Sequence, residues 1–294
     1  MDMVTLDYFR EPGPHSTAKK NKVGLAGAPT DIADLAAWIQ SRMLHEHWAS
    51  RYGEELTPER RELSQRRSVD AVLDGVLAGG NSPRPAAGRA VGVCSHFSLL
   101  AVSALRANGL AARSRCGFGT YFAPDKAIDH WVVEVWNGDR WRMVDFQIDD
   151  FQRAELGLVF DTLDLPSGVF LLAAQAWQLC RCGEDDPNRF GIFNEGGFWF
   201  IASNMIRDLA SLNKVEMLPW DDWGAMPSPD AEISTEELRR FDHLAEVLVD
   251  PDRHREELRL LYGAPGFGMP GEVFNAVRQV RETVSVASEA VVTA

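Results

Sequence analysis

The chain has 294 residues, of which 45% are hydrophobic and 25% charged, as expected for a globular protein with a sizeable core. A formal net charge of −13 argues against binding to nucleic acid or to an anionic membrane, and no stretch approaches the roughly 20 apolar residues of a membrane-spanning helix. Four cysteines are too few for a disulfide scaffold, so each is expected to be a free thiol. Residues 1–27 are polar and lack the apolar centre of a signal peptide, which predicts a cytoplasmic protein.

Residues 1–87 are predicted to form an N-terminal lead and a helical segment. Residues 1–29 contain several prolines and glycines, and we expect them to be loosely structured. Thr30 is the expected N-cap of the first helix, and the second begins at a proline. Three helices are predicted here, over residues 31–48, 58–66 and 68–77. His45 and His47 would then lie two apart on the first helix, at the surface or with local partners.

Residues 88–150 are predicted to form a compact core in which one helix packs on a small sheet. Residues 94–107 are apolar on nearly all sides and are followed by Asn108 and Gly109, a good helix ending. Asn137 and Gly138 are typical of a tight hairpin turn. Two or three strands are predicted, over residues 111–122, 128–136 and 140–146.

Residues 151–294 are predicted to be helical and to pack on that core, so that the whole chain forms one structural domain of the α+β class. The third of these helices begins with a capping box from Ser234 to Glu237. We expect residues 285–294 to be a frayed tail. The predicted helices cover residues 167–182, 197–212 and 234–248, with two more beginning near residues 251 and 271.

Cys94 is the strongest candidate for chemistry, because it stands where the Gly92–Val93 loop enters a helix. Free amides and a partial positive charge at a helix start favour a thiolate and could hold a developing oxyanion. The alternative is that Cys94 is a small buried apolar residue, which is common for cysteine.

His130 and Asp145 are predicted to face each other across the hairpin. With a two-residue turn Trp136 pairs with Asp139, paired residue numbers add to about 275, and His130 lies opposite Asp145. A carboxylate in that place would fix the tautomer of the imidazole, as the acid of a catalytic triad does. A purely structural cross-strand ion pair is the alternative, and Asp129 points to the other face.

These segments resemble the core of the transglutaminase-like superfamily. The resemblance rests on residues 92–97, 105–113, 129–136 and 141–145. It implies a papain-like fold, with Cys94, His130 and Asp145 as the catalytic triad. Phe146 departs from the pattern, since proline commonly follows the aspartate there. The flanking segments are similar to a bacterial branch of the superfamily, and some relatives in actinobacterial biosynthesis are Dieckmann cyclases that release a carrier-bound chain as a tetramic acid.

The sequence therefore predicts cysteine-dependent acyl transfer through an acyl-S-Cys intermediate. The best specific interpretation is Dieckmann-type off-loading of a small-molecule or carrier-bound thioester; the alternatives are an amidase or protease acting on a peptide or protein amide, and a non-catalytic binding module. Residues 60–115 carry nine arginines and three acids, a net charge of +6, and could receive an acidic carrier protein or simply be solvated helix faces.

Side chains near the predicted triad are candidates for substrate contact. His96 follows the nucleophile by two residues and could touch substrate, although a structural role is the stronger alternative. Residues 117–119, Gly-Phe-Gly, could let a ligand or another backbone approach closely. The substrate-binding candidates are His96, Phe118, Tyr121 and Trp131. No cofactor or metal is expected, because the Cys180-x-Cys182 pair diverges on a predicted helix and has no second pair.

Overall fold

A computed structural model describes residues 3–80, 82–229 and 231–284. Within these residues the chain forms eleven α-helices and short 3₁₀ turns. The helices are α1 (Met3–Arg10), α2 (Lys22–Ala26), α3 (Ile32–Gln40), α4 (Pro58–Arg61), α5 (Val69–Leu77), α6 (Cys94–Ala107), α7 (Asp150–Leu156), α8 (Ala173–Arg181), α9 (Phe198–Leu212), α10 (Thr235–Val249) and α11 (Arg255–Tyr262). None of these helices is long and apolar enough to cross a membrane.

The same part of the chain contains eleven strands, most of them short. They are β1 (Met43–His45), β2 (Ala90–Gly92), β3 (Ala112–Gly119), β4 (Ala127–Trp136), β5 (Trp141–Val144), β6 (Phe170–Leu172), β7 (Phe190–Ile192), β8 (Glu195–Gly196), β9 (Asp221–Asp222), β10 (Glu272–Asn275) and β11 (Val280–Thr283). The α+β class is confirmed, with a cysteine-bearing helix packed on a mainly antiparallel sheet.

The central sheet has the order β6-β3-β4-β7-β8, and β5 also pairs with β4. One edge of β4 pairs along its length with β3. Its other edge is divided: β5 pairs with residues 133–136, and β7 pairs in parallel with residues 127–128. The middle of that edge, residues 129–132, therefore has no strand beside it among these pairings, and His130 lies in this gap.

Helix α6 packs against one face of the sheet and is itself almost entirely buried. The valines of β4 and β5 that face it lie in the same apolar cluster as its side chains. Burial of this kind is the main favourable term in folding. The cluster includes Phe97, Leu100, Ala101, Ala112, Val133, Val135 and Val144.

A second apolar cluster joins the beginning of the chain to its C-terminal half. It contains Leu6 and Phe9 of α1 together with Phe118, Trp177 and Leu248. All three predicted segments of the chain thus contribute to continuous packing around the sheet. Residues 1–29 were expected to be loosely structured, and this was wrong, because α1 and α2 place Leu6, Phe9 and Leu25 in the core.

Three other predicted helices are corrected by strand pairing with distant segments. The first ends at Gln40, with Asp31 rather than Thr30 as N-cap, since residues 43–45 form β1 in parallel with β2. Residues 170–172 form β6 beside β3 before α8 begins. The segment from residue 271 forms the β10–β11 hairpin beside β9. The predicted tail, 285–294, lies outside the described residues.

Candidate active site

The start of α6 is held in place by His96. The Val93 backbone N–H donates to His96 Nδ1 at 3.1 Å, and His96 Nε2 donates to the Arg66 carbonyl at 2.9 Å. Burial lowers the pKa of His96 to about 4, so the ring is neutral at pH 7. Both ring nitrogens are used by backbone, and His96 therefore positions Cys94 instead of lining a substrate pocket.

Cys94 lies against the gap in the divided edge of β4. The Trp136 backbone N–H donates to the Ala111 carbonyl on the β3 side of the strand. Because backbone N–H groups alternate in direction along a strand, the Trp131 N–H points to the opposite edge of β4. No strand pairs there, and this amide donates to the Cys94 sulfur, as does the amide of Ser95 in the first turn of α6. The thiol is thereby fixed beside the residue that follows His130.

The environment of Cys94 favours the thiol over the thiolate. Burial raises its pKa well above the ordinary value, and the negative charges of Asp129 and Asp145 raise it further, whereas the Ser95 and Trp131 amides lower it. The expectation that the helix start would favour a thiolate was therefore wrong in its net effect. A nucleophilic Cys94 needs a base to remove its proton.

His130 and Asp145 are in direct contact. His130 Nε2 lies 2.8 Å from Asp145 Oδ2, and both side chains are buried. The predicted register was wrong by two residues: Trp136 pairs with Trp141 and Val133 with Val144, so paired numbers add to 277. A shift of two keeps a side chain on the same face, and Asp145 reaches His130 diagonally just beyond the end of β5.

The Asp145 carboxylate is fully buried and carries three donors. Besides His130 they are the Tyr121 hydroxyl at 2.6 Å, also on Oδ2, and the Gln147 backbone N–H at 2.9 Å on Oδ1. Burial alone would raise the pKa of Asp145, but His130, Tyr121 and Gln147 together hold it below its ordinary value. An ionised Asp145 takes the Nε2–H of His130 and leaves Nδ1 as the ring nitrogen that can accept a proton.

The other substrate-binding candidates have different places. Tyr121 positions Asp145 through its hydroxyl. Phe118 is fully buried in the core, with its ring edge-on to Phe190 at 5.2 Å, and so does not line a pocket. Trp131 packs with Cys94 and Cys116, and its indole N–H has no hydrogen-bond partner.

Asp129 faces away from His130, as the strand pattern predicts. It accepts a hydrogen bond from Asn204 of α9 at 2.8 Å, and burial raises its pKa. It nevertheless affects Cys94 through its charge. Within the described ranges no group of three His, Cys, Asp or Glu side chains could hold a metal ion.

His45 lies near the site and, contrary to the prediction, not on a helix. It belongs to β1 and is buried, and it has the local partner that was the other predicted alternative, because its Nδ1 accepts from the His47 backbone N–H. Its charge interactions with His130 and His96 place it near His130 of β4 and near His96 in the first turn of α6. Strand β1 has only three residues and pairs with the distant β2, so it shows no periodicity, and no signal in the sequence marks this position.

The nine arginines of residues 60–115 are bound within the chain. Seven, Arg67 among them, form ion pairs, for example Arg106 with Glu216 at 2.7 Å and Arg115 with Asp208 at 2.8 Å. Arg66 and Arg84 donate to backbone carbonyls, and Arg67 bonds Asp221 and Glu282. These contacts neutralise or bind most of the positive charge that had suggested a surface for an acidic carrier protein.

The site is closed in this structure, since Cys94 is 6% exposed and His130 2%. A surface cleft of about 400 Å³ lies elsewhere, near Gly109, Trp136 and Asp31. Gly109 follows the C-terminal end of α6, and a helix of 14 residues is roughly 20 Å long. The cleft is therefore remote from Cys94 and is not its substrate pocket.

Residues 58–146 match the model of the transglutaminase-like superfamily core. The match begins well before residue 88, where the sequence analysis placed the start of the core, and it ends just after Asp145. The matched residues include Cys94, His130 and Asp145, so this part of the chain is similar to the transglutaminase-like core.

No curated protein matches the chain. Among solved structures it is similar to one described as a "putative cysteine protease" from Cytophaga hutchinsonii, with 15% identity and a TM-score of 0.36 over 58% of this chain. The similarity spans 46%, about half, of the length of that protein.

Proposed function

We propose that the protein catalyses acyl transfer with Cys94 as nucleophile, His130 as general base and Asp145 as the residue that orients His130. The observation that carries the proposal is the buried His130–Asp145 hydrogen bond of 2.8 Å beside the helix start that bears Cys94. A nucleophile, a base and a third group that orients the base are the elements of thiol-dependent catalysis.

In the first half-reaction His130 Nδ1 removes the proton from the Cys94 thiol while the sulfur attacks the carbonyl carbon of the acyl donor. The carbonyl electron pair moves to oxygen to give a tetrahedral oxyanion. When the pair returns, the C–S bond of a thioester donor breaks, and the leaving thiolate takes the proton from His130. The product is an acyl-S-Cys94 intermediate.

The second half-reaction depends on the acceptor, and Dieckmann-type cyclisation is the specific proposal. The acyl chain carries an acidic C–H between two carbonyl groups. His130 removes that proton, the carbanion attacks the acyl-S-Cys94 carbon, and the Cys94 thiolate leaves and is reprotonated by His130. A C–C bond replaces the C–S bond, and the product is a ring such as a tetramic acid. An acidic carrier protein as the donor, and a cytoplasmic location, stay predictions.

An amidase or protease acting on a peptide or protein amide is the second candidate. The match of residues 58–146 to the transglutaminase-like model favours it, because that family name implies chemistry at an amide. Here the leaving group is ammonia or an amine, which must take the His130 proton before it departs.

The first experiment tests the nucleophile. Cys182 is exposed and would react with alkylating reagents, so a Cys182→Ser background is used. Iodoacetamide at pH 7 should label Cys94, and His130→Ala should slow this labelling. Cys116 is a matched buried thiol, and it should stay unlabelled. No labelling of Cys94 in the folded protein would support a non-catalytic binding module and refute the proposal.

The second experiment chooses between substrates. The protein is incubated with an N-(β-ketoacyl)aminoacyl thioester and, separately, with glutamine-containing peptides. Mass analysis should find acyl-Cys94 and a ring product with the thioester, both abolished in Cys94→Ala. Ammonia release from the peptides without ring formation would replace cyclisation by the amidase alternative.

A further inference from the structure

His45 lies beside the loop that delivers Cys94. In the parallel pair of β1 and β2, His45 stands opposite Gly92, two residues before Cys94. Its ring stacks on that of Phe97 in the first turn of α6, with centroids 6.3 Å apart and planes inclined by 28°. Backbone pairing and ring stacking therefore hold this imidazole at the same helix start as the thiol.

The tautomer of His45 is fixed by its neighbour. The backbone N–H of His47 donates to His45 Nδ1 at 3.2 Å, so the ring proton is on Nε2. Burial lowers the pKa of His45 well below its ordinary value, and His47, His130 and His96 lower it further. The ring is thus a neutral imidazole whose Nε2–H is a donor and is not readily lost.

The proposed reaction needs such a donor. The amides of Ser95 and Trp131 are directed at the Cys94 sulfur, where they serve the thiolate. The oxyanion that forms during acylation needs hydrogen bonds of its own in this buried site, because unpaired negative charge in a buried site is costly. A neutral N–H suits this task, since it donates a hydrogen bond and keeps its proton.

We propose that His45 is a further catalytic residue, whose Nε2–H donates to the oxyanion formed when Cys94 attacks the carbonyl carbon. The inference rests on the proposed function. During attack the C–S bond forms, the carbonyl electron pair moves to oxygen, and His45 stabilises that oxygen; on collapse the pair returns, the leaving group departs and the His45 hydrogen bond is released.

Two substitutions distinguish whether His45 acts as a hydrogen-bond donor or only packs against Phe97. His45→Phe keeps a flat ring against Phe97 but removes the donor. His45→Gln keeps an N–H group but loses the ring. Loss of one oxyanion donor costs ~10²–10³-fold in kcat. We expect that loss in His45→Phe with a nearly unchanged KM, and a smaller loss in His45→Gln. His243→Phe, an exposed histidine paired with Glu257, is the control.

Iodoacetamide provides the second readout. Its alkylation of Cys94 displaces iodide at a saturated carbon and forms no oxyanion. The alkylation rate of His45→Phe should therefore stay close to that of the unmodified chain, while its rate of acylation by a thioester falls. An unchanged acylation rate in His45→Phe, or a parallel fall in alkylation and acylation, would overturn the role of His45. If the unmodified chain is alkylated at Cys94 but acylated by no donor, the proposed function and the role of His45 both fail.

Discussion

Replacing Tyr121 by phenylalanine tests whether Asp145 is an ionised carboxylate held by its donors. The substitution removes one hydroxyl, which donates to Asp145 Oδ2 at 2.6 Å, and keeps the ring that lies 4.5 Å from Phe122 between centroids. The remaining donors to Asp145, His130 and the Gln147 amide, are unchanged.

The expected loss follows from the charge and burial of the acceptor. A hydrogen bond to a charged group contributes ~1.5–3 kcal/mol to stability, about twice that of a neutral pair. Asp145 is 0% exposed, so water cannot replace the lost donor. We expect the free energy of unfolding of Tyr121→Phe to fall by ~1.5–3 kcal/mol at pH 7.

The pH dependence has a definite sign. The pKa of Asp145 is lower in the folded chain than its ordinary value, chiefly through His130 and Tyr121 acting against burial. A group of this kind contributes stability that is present above its unfolded pKa, about 3.9, and is lost as the pH falls through the folded pKa. The difference between Tyr121→Phe and the unmodified chain should therefore be largest near pH 7 and shrink below about pH 4.

Urea unfolding at several pH values between 7 and 3 measures this difference. Tyr52→Phe is the matched control, because the Tyr52 hydroxyl donates to Asp149 at 2.7 Å, away from the site. That bond lies nearer to solvent and should contribute less, with no effect on Cys94 acylation. A loss for Tyr121→Phe that does not shrink at any pH down to the acid unfolding of the chain would refute the argument, because the difference should disappear as Asp145 becomes protonated.

Other substitutions test residues that hold the sheet and the start of α6 in place. Arg115→Met leaves Asp208 buried without its cation and should lower the free energy of unfolding, measured with urea, by ~3–5 kcal/mol. A loss below ~1 kcal/mol would mean that water reaches the Asp208 carboxylate. His96, with a pKa of about 4, binds a proton more weakly when folded, so stability should fall by about 2 kcal/mol from pH 7 to pH 5 through this residue. His96→Gln keeps an acceptor for the Val93 backbone N–H and should remove this pH dependence of stability. An unchanged pH dependence would mean that another group causes it. Gly191→Ala places a Cβ against the Glu195 backbone carbonyl, so it should lower Tm and disrupt the pairing of β7 with β8. An unchanged Tm would show that the β7–β8 hairpin shifts to accommodate the methyl group.

The Cys94 helix was predictable because its signals are local. Residues 94–107 were predicted as a helix, and α6 has these bounds, since an apolar run meets Asn108 and Gly109 at its end. Strand β4 was predicted to within one residue of its start for the same reason. Local pattern and tertiary packing agree in this part of the chain, which also contains the candidate catalytic residues.

The hairpin register was not predictable from the Asn137–Gly138 signal alone. The Asn137 side chain accepts from the backbone N–H groups of Asp139 and Arg140, which stabilises a four-residue turn in place of a two-residue one. Likewise β1 and β10 are too short for periodicity and form only because distant strands pair with them. The net effect on the Cys94 pKa depends on Asp129 and on burial, neither of which spacing in the sequence gives.

The longer turn has a consequence for the site. In the predicted register Asp145 would lie directly across from His130 within a continuous ladder. In the observed one the pairing of β5 with β4 ends at Val144, one residue before Asp145. Asp145 is then free of strand pairing with β4, which leaves the edge at residues 129–132 open. That opening lets the Trp131 amide reach the Cys94 sulfur. The same break in the ladder therefore gives His130 its carboxylate and gives Cys94 its second amide donor.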